Sequence, residues 1–151
     1  MTEKEKDDLH YVCALVEFLG RKTKNHRSEI VRRLGTAELE RQLRLAEVNH
    51  CLTFEQVADE LIAQYAIPTG TFDTVAECEY TVPNFRDIGN NYQRLVLDVL
   101  PPGGGLAETA QTIAEVFTSF LSDAMSNFNS DMFYQSREYF KACYQSGRIL
   151  E

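Results

Sequence analysis

IPTGTFDTVAECEYTVP, residues Ile67 to Pro83, is the stretch on which the fold class turns. Pro68 and Gly70 mark a turn. Ala76, Cys78, Tyr80 and Val82 then alternate with Glu77, Glu79 and Thr81, the period of two of a half-buried strand. A single strand leaves its backbone donors and acceptors unpaired, and no second alternating run is clear. The stretch is therefore read as an extended connector, with a short hairpin against residues 67–74 as the alternative.

Everything on either side of it has helical periodicity. Immediately upstream, Thr53 and Gln56 have capping-box spacing, and Phe54, Val57, Ala58, Leu61, Ile62 and Tyr65 follow a period of 3.6. Further back, Leu9, Val12, Val16 and Leu19, flanked by Tyr11, Leu15 and Phe18, predict a well-buried helix over residues 4–22, broken by Gly20 and KTKN. Two shorter helices are expected between them, residues 28–34 and 36–50, with Gly35 as a C-terminal cap. Downstream, Asn84 caps a helix whose stripe is Phe85, Ile88, Tyr92, Leu95, Val96 and Val99. PPGGG, Pro101 to Gly105, breaks it. A long helix is expected over 106–127, and a last one over 131–146 with Ser130 or Asn129 as its cap. The expectation is all-α: a single compact domain of about seven helices, with an N-terminal half over 4–66, the connector 67–83 and a three-helix half over 84–147.

A chain of 151 residues, 44% apolar, buries enough surface to fold without disulfides or metal. Cys13, Cys51, Cys78 and Cys143 show no CxxC pairing and read as free thiols. The charged N-terminus, MTEKEKDD, lacks the apolar core of a signal peptide, and no apolar run approaches the length of about 18 residues that spans a bilayer. The cytoplasm is the expected compartment. The net charge of −8 argues against binding to nucleic acid or anionic membranes by the chain as a whole. That charge is uneven, however. Eight of the fifteen Lys and Arg fall within residues 21–44, whereas Arg86 and Arg94 are the only two in residues 45–123, against twelve carboxylates.

The residues offer little chemistry. His10 and Cys13 lie one helical turn apart, but no HExxH, CxxC or ExxH pattern supports a metal. The cysteines sit on apolar stripes, where thiols are inert. PPGGG has no Lys after it and is not a phosphate loop. No cofactor, metal or catalytic residue is expected.

Two segments suggest recognition instead. Arg21, Lys22, Lys24, Arg27, Arg32, Arg33, Arg41 and Arg44 flank Gly35 in the outline of a helix-turn-helix, although Glu29, Glu38 and Glu40 intrude. The segment SNFNSDMFYQSREYFKACY, Ser126 to Tyr144, places six large aromatic residues on more than one helix face, so that some face outward. Exposed aromatics among amides mark interfaces.

HYVCALVEFLGRKTKNHRSEIVRRLG, VNHCLTFEQVADELI, DIGNNYQRLVLDVL and SNFNSDMFYQSREYF together resemble a group of small bacterial proteins of unassigned activity. Some of these stand in short operons beside ADP-ribosyltransferase-like toxins. The resemblance implies an antitoxin- or immunity-like partner of a neighbouring gene's product, and it transfers no catalytic residue. The expected function is thus non-enzymatic binding of another protein. Its candidate contacts are Arg32 and Arg33 from the basic segment and Tyr134 and Tyr139 from the aromatic one. Asn127 and Asn129 are expected to fix geometry, Asn129 being equally suited to cap a helix. A homodimer is compatible with an exposed aromatic patch. The alternative is a DNA-binding regulator that uses helices 21–44.

Overall fold

Helix α1 (Glu3–Thr23) opens on a capping box in which the Thr2 hydroxyl accepts from the Glu5 amide and the Glu5 carboxylate accepts from the Thr2 amide. The computed structural model describes residues 1–151. Every residue from Tyr11 to Val16 is buried, which makes α1 the central helix of the molecule. It packs against α2 (Arg27–Asn49) on one side and α4 (Phe85–Val99) on another, and α5 (Leu106–Thr118) closes on α2. The remaining helices are α3 (Phe54–Tyr65), α6 (Leu121–Met125) and α7 (Arg137–Ser146), with a 3-10 turn at Met132–Tyr134. There is no strand. The fold is all-helical, as the periodicity predicts, and the alternating residues 76–82 do not pair with any strand.

The boundaries differ from the expected ones in three places. Helix α1 runs through Gly20 and ends at Lys24, which adopts the left-handed conformation. Gly20 is needed for another reason: a Cβ there would lie 2.4 Å from Cδ of Arg27. The long helix expected over 106–127 is split at Ser119, whose backbone is extended. Thr118 and Ser119 turn their hydroxyls onto the carbonyl oxygens of Ala114 and Val116, 2.7 Å each, and so end the helix from within. The last helix starts six residues later than expected, at Arg137, because Ser136 takes the Tyr139 amide while Asn129 and Ser130 are engaged elsewhere. Gly35 stands as anticipated between two helical segments, with φ 76° and ψ 163°.

The core carries an ionic centre. Glu17 and Arg27 are both 0% exposed. Arg27 donates from Nε and Nη2 to the two oxygens of Glu17, at 2.9 and 2.8 Å, and from Nη2 to the Thr74 hydroxyl. Arg21 adds a bond of 2.7 Å to Glu17 and another of 2.7 Å to the Pro83 carbonyl oxygen. Burial alone would raise the Glu17 carboxyl, but Arg27 and Arg21 outweigh it and hold the carboxyl below the ordinary range. This network fastens the connector to α1 and α2. The Gly70 and Phe72 amides donate to the carbonyl oxygens of Thr23 and Lys24, and a Cβ on Gly70 would sit 2.5 Å from the Lys24 oxygen.

Candidate functional site

Helices α3 and α4 begin side by side against the middle of α1, and the space between them is an open groove of about 670 Å³. Each opens with a capping residue followed by phenylalanine: Thr53–Phe54 and Asn84–Phe85. Gln56 and Thr53 cap each other reciprocally, and the Asn84 side chain accepts from the Arg86 amide at 2.8 Å. The caps fix the first turns, so Phe54 and Phe85 meet edge to face with centroids 4.9 Å apart. Helix α1 supplies Phe18, 5.1 Å from Phe85, and Tyr11, 5.1 Å from Phe54. His50, at the end of α2, stacks on Tyr11 at 5.5 Å. Burial raises the Tyr11 phenol above its ordinary value. Its hydroxyl is buried with no hydrogen bond of normal geometry, and the nearby Asn49 side chain, which donates to Gln42, only partly offsets the effect of burial.

Arg86 lies over this aromatic floor. Its Cζ is 4.6 Å from the Phe85 centroid and 5.1 Å from that of Phe54. His10 donates from Nε2 to the Arg86 carbonyl oxygen, 2.9 Å, and holds the first turn of α4 to α1. No carboxylate comes within ion-pair distance of the guanidinium. Of the two acidic residues on the lining, Glu55 is bound by Lys22 and Asp7 is unpaired. An arginine placed over rings, with no carboxylate partner, keeps its planar fork of donors free for a carboxylate or phosphate.

The residues singled out from the sequence are scattered. Seven of the eight cations in 21–44 are paired: Arg21 and Arg27 with Glu17, Lys22 with Glu55, Lys24 with Asp73, Arg33 with Glu29, Arg41 with Glu38 and Arg44 with Glu40. Arg32 alone is unpaired, and it is exposed, so most of the expected basic face is engaged in ion pairs. Asn127 and Asn129 act on the connector. The Asn129 side chain accepts from the Glu79 amide, 2.7 Å, and donates to the Glu77 carbonyl oxygen, 2.9 Å, while Asn127 accepts from the Asn129 amide. Asn129 therefore caps no helix. Tyr139 is half-buried, its hydroxyl donating to the Leu150 carbonyl oxygen at 2.6 Å. Tyr134 is 76% exposed and its ring stands nearly perpendicular to that of Phe133, centroids 5.0 Å apart.

Cys13 is sealed in the core, where burial pushes its thiol up, whereas His10 lines the groove, so the pair expected one turn apart does not share a site. No three His, Cys, Asp or Glu side chains gather as metal ligands would, and no helix is long and apolar enough to cross a membrane. The groove escaped the sequence reading because Tyr11, Phe18, Phe54 and Phe85 each fit an apolar stripe. The available signal was a capping residue followed by Phe at the start of two separate helices. No known protein family matches this chain, and no curated protein or solved structure is significantly similar to it.

Proposed function

We propose that this protein acts without catalysis, by binding another protein, and that the groove between α1, α3 and α4 is where the partner docks. The observation that carries this reading is the convergence of four aromatic rings and an unpaired arginine in one open cleft. Aromatic residues and arginine supply most interface hot spots, because they desolvate a large area at low entropic cost and leave a directed charge. Tyr134 is a second candidate anchor, exposed on a different element, and Arg32 a third. The partner class that fits the resemblance is the product of a neighbouring gene, neutralised by an antitoxin- or immunity-like protein of bacterial origin. The charge pairing of residues 21–44 favours this reading over DNA binding, since a phosphate backbone needs several free cations in register.

The test is co-purification of the tagged full-length chain from its native host at physiological salt, followed by mass spectrometry. A stoichiometric protein is the expected result. Recovery of the tagged chain alone, or only of nucleic acid, would overturn the proposal.

A further inference from the structure

We infer that the groove seats a segment of the partner in which an apolar or aromatic side chain adjoins a carboxylate. The apolar group lies among Tyr11, Phe18, Phe54 and Phe85, and the carboxylate pairs with Arg86. This rests on the protein-binding reading and commits it to one kind of occupant.

Charge selects that occupant. The chain has fifteen Lys and Arg against twenty-three Asp and Glu. Ten of the fifteen cations are paired within 4 Å, which leaves Arg32, Arg86, Arg94, Lys141 and Arg148. Among these five only Arg86 lies over aromatic rings at a cleft. Two rings hold it in place, so its fork meets an incoming carboxylate with little further loss of freedom. The surfaces directly beneath it are the Phe54 and Phe85 rings, which shield one side of a charged pair made there from water. The volume, about 670 Å³, suits one or two side chains with their backbone and is within the range of ordinary ligand clefts. Asp7 is the internal control: it is an unpaired carboxylate on the same lining and opposes an anionic occupant.

The experiment is selection from a random dodecapeptide display library against the full-length chain, with affinities of the enriched peptides measured by calorimetry. Enriched peptides are expected to place Asp or Glu beside Phe, Trp, Tyr or Leu. Arg86→Gln should weaken them at least about tenfold, the worth of a hydrogen-bonded ion pair. Arg86→Lys should recover only part of that loss, and Asp7→Asn should tighten binding. Both positions are exposed, and an unchanged melting temperature shows that the variants fold. Enrichment of basic peptides, enrichment indifferent to Arg86, no enrichment, or displacement of the peptides by a small molecule extracted from the purified chain would each overturn the inference. The broader proposal fails separately. If Arg86→Gln binds the co-purified protein with unchanged affinity, the partner reading stands and the groove assignment falls. If no protein co-purifies with the native chain, the partner reading itself is lost.

Discussion

At the scale of single residues, Glu17 is the most constrained group in the molecule. It has no exposed surface and receives three hydrogen bonds from two guanidinium groups. Glu17→Gln leaves Arg27 charged and buried without its counterion, and is expected to cost about 3–5 kcal/mol in urea unfolding. The pair also sets the acid response. Folding depresses the carboxyls of Glu17 and Glu38 below 4.5, so the stability they contribute is fully present above that value and lost as the pH falls through the folded values. A thermal melt repeated below pH 4.5 should show a falling midpoint, and Glu17→Gln should flatten that fall. Gly20 depends on the same pair. With Arg27 pinned by Glu17, Gly20→Ala has no room to relax and is expected to cost about 1–3 kcal/mol in the same assay.

The connector is the element whose behaviour is least like its sequence pattern. Residues 67–83 have no sheet partner. They are held by Arg27 on Thr74, by the Thr23 and Lys24 carbonyl oxygens, by His26 stacked on Phe72 at 3.8 Å, and by Asn129 on Glu77 and Glu79. Asn129→Ala removes two of these bonds, and should speed hydrogen exchange in residues 76–82 while leaving the helical circular dichroism unchanged. A matching loss of helix signal would mean that the clamp supports the bundle and not only the connector. Helix boundaries follow the same logic. Capping at Thr53 and Asn84 was legible because cap and first turn are adjacent in the chain. The break at Ser119 was not, because Thr118 and Ser119 suit either a helix surface or a helix end.

For the whole molecule, the distribution of charge matters more than its sum. Seven of the eight cations of segment 21–44 are paired with carboxylates, and four of these pairs lie one turn apart on the same helix. Five cations of the chain remain unpaired, and of these Arg86 alone lies over aromatic rings, while the phenol of Tyr134 is exposed. Tyr134 is 76% exposed, so the folding stability of Tyr134→Ala should stay within about 0.5 kcal/mol of the native chain. A lowered yield of co-purified partner with an unchanged melting temperature would place Tyr134 in the interface. An unchanged yield would confine the interface to the groove.

By itself the sequence determined that the protein is all-helical, where most of its helices begin, and that PPGGG and Gly35 interrupt them. These are outcomes of interactions within four residues along the chain: periodic burial, caps and turn chemistry. Only the tertiary structure decided which charges are spent and which are free. Arg27 and Arg32 stand five positions apart in one basic run, yet one is buried on Glu17 and the other is exposed and unpaired. The groove likewise exists because α1, α3 and α4, distant in sequence, bring four stripe aromatics to a common edge. A side chain's stripe position tells which way it leans, but only the helix that arrives opposite settles whether it becomes core or cleft.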